Sequence, residues 1–175
     1  MNHPTPDLRT FIRDVPDFPK PGILFKDITP LLADPVAFGA AVEAIAVAFR
    51  GRGIEVVAAP EARGFVFGAP VALALGVGFV PIRKPGKLPY STISFDYDLE
   101  YGQDTLHVHS DALAKGRRVL LVDDVLATGG TMRACRELVG RTGAEVVACA
   151  FLIELTFLGG RKTMGEGEIM SLLAF

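Results

Sequence analysis

Hydrophobic residues follow two patterns along this chain: some recur every three to four residues, and others form short continuous runs. The three-to-four period between 36 and 50 predicts a helix, and Asp34 followed by Pro35 is typical of a helix start. The remaining segments with a clear pattern predict strands at 55–59, 78–83, 117–122 and 146–153, and helices at 64–75 and 131–141. This alternation predicts one α/β domain over 1–175, with a central, mainly parallel sheet flanked by helices.

Two regions interrupt the alternation. Residues 1–33 are rich in Pro, Asp and Phe and predict an N-terminal arm or hood. Residues 84–109 have no helical period, and an excursion of this length in a small domain is typical of a lid. Alternating polar and aromatic residues within it predict a β-hairpin with arms at 91–97 and 105–109.

Composition narrows the class of protein. Half of the residues are hydrophobic and the formal net charge is −2, which favours a globular protein without the basic field of a nucleic-acid binder. The first residues lack the pattern of a signal peptide, and the apolar runs are too short to span a membrane. Together with two cysteines lacking metal-ligand spacing, this predicts a cytoplasmic protein with reduced thiols.

The most informative stretch is 119–131. An apolar run ends in two carboxylates, Asp123 and Asp124. Ligands of open α/β sheets bind at the carboxyl ends of the strands, so this position predicts a ligand site. After Val125 and Leu126 come five residues that are small, hydroxyl-bearing or glycine, which suits close backbone contact with a phosphate: Ala127, Thr128, Gly129, Gly130 and Thr131. Carboxylates for sugar hydroxyls beside donors for a phosphate predict a ribose-5-phosphate site.

The same stretch resembles the signature of the type I phosphoribosyltransferases. Three further segments make the chain similar to the adenine phosphoribosyltransferases: 18–27 (FPKPGILFKD), 61–68 (EARGFVFG), and 83–89 (RKPGKLP) followed by 99–102 (LEYG). The resemblance implies the type I fold with an N-terminal hood and a flexible lid. It also implies transfer of the 5-phosphoribosyl group from 5-phospho-α-D-ribose 1-diphosphate to adenine, which gives AMP and diphosphate in purine salvage.

The resemblance also implies roles for particular residues. It assigns Arg63, Lys84 and Lys87 to the diphosphate, and Glu100 and Tyr101 on the lid to catalysis together with Arg63. It assigns adenine to Leu24, Phe25 and Lys26, where some members carry Arg in place of the lysine. Mg²⁺ is the implied cofactor, held by diphosphate oxygens, ribose hydroxyls and water with no direct protein ligand. The implied assembly is a homodimer that acts on small molecules and binds neither nucleic acid nor membranes.

Two other functions remain open at this point. A related transferase could act on a 6-oxopurine or on orotate, although the 18–27 arm favours adenine. A non-catalytic regulator could keep the loop only to sense 5-phosphoribosyl diphosphate, although such a protein would have no need of Glu100 and Tyr101 on a lid.

Overall fold

The structure is a computed structural model that describes residues 6–99 and 102–175. It contains nine strands and five α-helices in the described residues, in the chain order β1 (Arg13–Pro16), β2 (Leu24–Asp27), α1 (Thr29–Ala33), α2 (Pro35–Phe49), β3 (Val56–Pro60), α3 (Arg63–Leu75), β4 (Gly78–Ile82), β5 (Thr92–Leu99), β6 (Gly102–His109), β7 (Arg118–Leu126), α4 (Gly130–Arg141), β8 (Glu145–Glu154), α5 (Gly160–Met164) and β9 (Glu168–Ala174). Short 3₁₀ turns cover Leu8–Phe11 and Thr156–Leu158.

A five-stranded parallel sheet forms the centre of the molecule, with the strand order β4-β3-β7-β8-β9. The predicted α/β class and the predicted internal helices and strands are confirmed. Strand β9 was not predicted, because it pairs with β8 alone at the sheet edge and its partly buried residues, such as Ser171, do not form a continuous apolar run.

Helices cover both faces of the sheet. Side chains of β7 alternate between them, so that Leu120 and Val122 pack on the side of α1, α2 and α3, whereas Val119 and Leu121 pack on the side of α4. The two apolar layers give the three-layer architecture of an α/β domain. Among the described residues, no helix combines the length and the apolar character needed to cross a membrane.

The predicted hairpin is present as β5 and β6, paired in antiparallel register from Thr92 opposite His109 towards the tip. Its arms are part of the core on the α4 side, since Tyr97, Leu106 and Val108 are all buried there. The body of the 84–109 excursion is therefore fixed to the domain.

Helix α3 lies unusually close to the sheet at Gly68. A Cβ atom at this position would lie 2.8 Å from Ala59 Cβ and 2.9 Å from Phe79 Cε2, distances at which atoms overlap. Close packing here fixes the height of α3 above β3, and with it the place of Arg63, the first residue of the helix.

We predict opposite stability effects for alanine at two helical glycines. Gly68→Ala should lower the free energy of unfolding by about 1–3 kcal/mol, because the added methyl overpacks the helix against the sheet. Gly39→Ala in α2 should raise it by about 0.5–1 kcal/mol, because the position is exposed, has nothing within 4 Å and gains helix propensity. Urea unfolding measures both changes, and equal effects at the two sites would contradict the packing argument.

Candidate active site

The two carboxylates of the 119–131 stretch lie inside β7 and not after it. The strand continues to Leu126 because β8 runs beside it, with Asp123 opposite Phe151 and Leu126 opposite Glu154. The predicted strand end at 122 is therefore wrong. Both acids nevertheless line one cavity of about 200 Å³.

The loop after β7 supplies the other side of this cavity. Ala127, Gly129 and Thr131 line it, Thr128 is exposed, and Gly130 begins α4. No side chain caps the helix start, and the first N–H groups of a helix have no partners within the helix. These donors, together with the positive end of the helix dipole, make the loop suitable for an anion.

The loop packs closely against Gly160. Gly129 has φ of +85°, and a Cβ at this residue would lie 2.5 Å from the carbonyl oxygen of Gly160. A Cβ at Gly160 would in turn overlap the carbonyl oxygen of Ala127. Sequence reasoning missed Gly160, although the adjacent Gly159–Gly160 pair was a visible signal of a special backbone position.

Arg63 reaches the cavity from the start of α3. Its Nε lies 2.5 Å from Oδ2 of Asp124, whose side chain is only 6% exposed, whereas the guanidinium side chain is 56% exposed. On its other side, Arg63 Cζ lies 5.9 Å from the ring centroid of Phe25 on β2. Arg63 therefore lies between Asp124 and Phe25 of the N-terminal arm.

Asp123 differs from its neighbour in its electrostatic environment. Burial, followed by the negative charge of Asp124, raises the pKa of Asp123 well above its ordinary value. Its Oδ1 accepts a hydrogen bond of 2.9 Å from the main-chain N–H of Asp124. A Cβ at Gly64 would lie 3.0 Å from the same oxygen, so the glycine leaves room for the carboxyl group.

A second, mostly apolar cavity of about 250 Å³ lies in the arm, where Val15, Phe18, Phe25 and Asp27 line it. The rings of Phe18 and Phe25 meet edge to face with centroids 5.1 Å apart. A planar apolar ligand fits such a surface.

The three residues predicted to hold the base do not all face this cavity. Because side chains alternate along β2, those of Leu24 and Lys26 lie on the face opposite Phe25. Lys26 Nζ instead pairs with Asp14 Oδ1 at 2.6 Å. The backbone of 24–26 still passes the cavity beside Phe25.

The predicted diphosphate lysines lie on the segment after β4. Lys84 Nζ contacts Asp104 Oδ2 at 2.8 Å, a hydrogen bond that raises the pKa of Lys84. The Lys84 main-chain N–H donates to Glu61, 2.8 Å away, and Glu61 also pairs with Arg83 at 2.6 Å. Lys87 is exposed. Sequence reasoning missed Asp104 and Glu61, which hold this segment in place.

Two predicted catalytic residues, Glu100 and Tyr101, lie outside the described residues. Within 6–99 and 102–175, no group of three or more His, Cys, Asp or Glu side chains could hold a metal ion. The carboxylates that line the 200 Å³ cavity are those of Asp123 and Asp124, and the second of them is paired with Arg63.

Comparisons with known proteins agree with this geometry. A family profile described as a phosphoribosyl transferase domain matches residues 31–165. The adenine phosphoribosyltransferase of Caldanaerobacter subterraneus subsp. tengcongensis is 57% identical over 169 residues, which cover 97% of this chain and 98% of that protein.

Solved structures give the same result. The adenine phosphoribosyltransferase of Thermoanaerobacter pseudethanolicus is 56% identical with a TM-score of 0.93, and the match covers 97% of this chain and 98% of that one. The Saccharomyces cerevisiae adenine phosphoribosyltransferase, solved with adenine and D-2,5-dideoxy-2,5-imino-altritol 1,6-bisphosphate, is 38% identical with a TM-score of 0.90. That match covers 95% of this chain and 96% of the yeast chain.

We predict that Asp123→Asn stabilises the protein in mild alkali. A carboxyl group whose pKa is raised in the folded state destabilises that state when it is ionised. The destabilisation is complete at pH values above the raised pKa and absent at pH values below the ordinary pKa. The amide carries no charge and can still accept the Asp124 N–H. The unfolding free energy at pH 8 should rise by about 1 kcal/mol, which corresponds to about 2–4 °C in Tm.

The gain in Tm should shrink as the pH falls through the raised pKa. Asp111→Asn, at an exposed turn residue, serves as the matched control and should leave Tm unchanged. A lower Tm for Asp123→Asn than for the parent protein at pH 8 would contradict the prediction.

Proposed function

The chain belongs to the adenine phosphoribosyltransferases, a group of the type I phosphoribosyltransferase family, and we propose a role in their reaction for each part of its site. The reaction transfers the 5-phosphoribosyl group from 5-phospho-α-D-ribose 1-diphosphate to adenine and releases diphosphate. Its product is AMP, which makes the protein an enzyme of purine salvage.

One observation carries the assignment of the site. Arg63 pairs with Asp124 in the cavity at β7, here called the ribose cavity, and its Cζ lies 5.9 Å from the ring centroid of Phe25, which lines the arm cavity. Arg63 therefore links one residue of each cavity. A base in the arm cavity and a ribose over β7 would meet where the anomeric carbon must be attacked. Holding both reactants at such a junction favours the reaction by fixing their orientation.

The ribose 5-phosphate part of the substrate is assigned to β7 and its loop. Asp124 and Asp123 accept hydrogen bonds from the ribose hydroxyls, and the main-chain N–H groups of 127–131 surround the phosphate. The open start of α4, with Gly129 in the left-handed region, supports this role because it exposes donors without a side chain in the way.

The diphosphate is assigned to Arg63, Lys84 and Lys87. The guanidinium is half exposed beside Asp124 and still has N–H donors for phosphate oxygens. Lys84 would exchange Asp104 for the diphosphate, since its ammonium is engaged by that carboxylate in the free protein. The exposed Lys87 adds further positive charge.

Mg²⁺ is assigned to the diphosphate side of the site. The available donors fit an ion held mainly by substrate oxygens and water, because Asp123 and Asp124 are the carboxylates that line the ribose cavity and Arg63 already neutralises one of them. When bound, the ion stabilises negative charge on the leaving diphosphate.

Adenine is assigned to the arm cavity, with its ring against Phe25 and its exocyclic amine on the backbone of 24–26. The yeast enzyme solved with adenine supports the choice of base. As a ring nitrogen attacks C1′, the C1′–O bond to diphosphate breaks and the purine loses a proton, for which Glu100 is the proposed acceptor. Segment 84–103, with Tyr101, is the proposed cover that excludes water.

The same resemblance supports a cytoplasmic homodimer that binds neither nucleic acid nor membranes. The net charge of −2 gives no basic field for nucleic acid. Exposed apolar side chains such as Leu73 and Val47, which are 82% and 55% exposed in the single chain, are candidates for burial between subunits.

An assay of product formation tests the function directly. The protein with Mg²⁺ and 5-phosphoribosyl diphosphate should form AMP from adenine, with kcat/KM at least about 100-fold above that for hypoxanthine, guanine or orotate, because polar groups fitted to one base edge are left unpaired by another. Product separation by chromatography measures all four reactions in parallel. A preference for an oxopurine or orotate, or binding without turnover, would favour one of the two alternative functions.

Two isosteric substitutions should separate chemistry from sugar binding. Glu100→Gln should lower kcat by about 100-fold or more, because a proton acceptor is lost. Asp124→Asn should instead raise KM for 5-phosphoribosyl diphosphate by about 10- to 100-fold, because a charged acceptor for ribose hydroxyls is lost and Arg63 loses its partner. Steady-state kinetics with both substrates varied measures the split. An unchanged kcat in Glu100→Gln removes this residue from the mechanism.

A further inference from the structure

The aromatic ring of Phe175 contacts two cations that belong to the N-terminal part of the chain. Arg9 Cζ and Lys26 Nζ each lie 4.3 Å from its ring centroid. Such contacts stabilise a cation over an aromatic face. None of these contacts is part of the proposed chemistry, and Phe175 lines neither the ribose cavity nor the arm cavity.

The backbone of Phe175 is fixed to the end of β8. Its N–H donates to the carbonyl oxygen of Glu154 at 2.9 Å, and its own carbonyl oxygen accepts from the N–H and the hydroxyl of Thr156 at 2.9 and 2.7 Å. Arg9 adds a hydrogen bond of 2.7 Å to the carbonyl oxygen of Ala174. The ring therefore projects from a rigid base.

The other side of the contact is the β1–β2 pair. Lys26 is 11% exposed and is held between the Phe175 ring and Asp14 of β1. Its neighbour Phe25 points to the opposite face, into the arm cavity. Phe175 thus supports the outer face of the two strands whose inner face is assigned to adenine.

The segment that anchors Phe175 also supports the ribose-phosphate loop. The N–H of Leu155 donates to the carbonyl oxygen of Leu126 at 2.9 Å, and Gly160 lies against Gly129. Residues 154–160 are therefore a common base for the loop on one side and, through Phe175, for the arm on the other.

We propose that Phe175 is a positioning residue that fixes the adenine-binding strands at the correct distance from the ribose-phosphate loop. The proposal rests on the proposed function, since it concerns where adenine is held. It assigns the effect to the aromatic face and its two cations. If the effect came from apolar packing alone, any apolar side chain of similar volume would replace Phe175.

Replacing the ring while keeping apolar bulk tests this distinction. Phe175→Leu should raise KM for adenine by about tenfold, the change expected from losing both cation contacts. The values of kcat and of KM for 5-phosphoribosyl diphosphate should change less than about twofold, because the loop and its support remain intact. Phe175→Tyr keeps the aromatic face, so its KM for adenine should stay close to that of the parent protein. If only apolar packing mattered, the KM of Phe175→Leu would also stay close to it.

Two further variants keep the test decisive. Phe157→Leu makes the same exchange at a ring that is 73% exposed, and it should alter none of the constants. Arg9→Gln changes an exposed residue that is not part of either apolar layer, and it should raise KM for adenine by about threefold, because one of the two cations is lost together with its hydrogen bond to Ala174. Normal adenine KM in both Phe175→Leu and Arg9→Gln would overturn the proposal while leaving the transferase function intact.

Amide hydrogen exchange gives a readout that does not depend on turnover. Phe175→Leu should speed exchange in β1 and β2 and leave β7 unchanged, because only the arm loses its support. Unchanged exchange in β1 and β2 would overturn the proposal even if the parent protein made no AMP. If the parent protein forms no AMP but Phe175→Leu still exchanges faster in β1 and β2, the proposed function is rejected and the positioning role is kept.

Discussion

The ion pair between Arg63 and Asp124 is the constraint on which the rest of the site depends. A carboxylate that is almost fully buried is stable only with a partner, and the guanidinium at the start of α3 supplies it. The position of that helix is in turn set by its contact with the sheet at Gly68. Because a guanidinium has five N–H donors, Arg63 can keep Asp124 and still bind an anion on its exposed side.

Helix-capping residues and hydrophobic periodicity predicted the elements whose limits depend on residues close in sequence. The start of α2 follows from Asp34, whose carboxylate accepts from the N–H groups of Val36 and Ala37, and the helical period follows from burial of one face. The end of β7 depends instead on β8, a partner that is distant in sequence, so four further residues joined the strand beyond the predicted end. Strand β9 was missed for the same reason, because it is defined by its pairing with β8 in the folded sheet.

The candidate site shows the same division between local and distant information. The acids and glycines of 119–131 are recognisable in the sequence itself, and Asp123, Asp124 and Gly129 line one cavity. The partners of the cations are not recognisable in this way: Lys84, just after β4, meets Asp104 of β6, and Lys26 meets Phe175 at the other end of the chain. Nothing in the spacing of such residues indicates the contact, because it depends on how the layers pack.

The position of the hairpin limits how the site can close. Tyr97 and Leu106 are buried against α4, so moving the whole 84–109 excursion would expose core side chains. The proposed change of partner by Lys84, from Asp104 to diphosphate, would leave this packing in place, and the ion pair of Glu61 with Arg83 holds the neighbouring backbone. Substrate charge can therefore act on Asp104, near the tip of the hairpin, while the buried arms stay in place, which confines any closing motion to the parts outside the core.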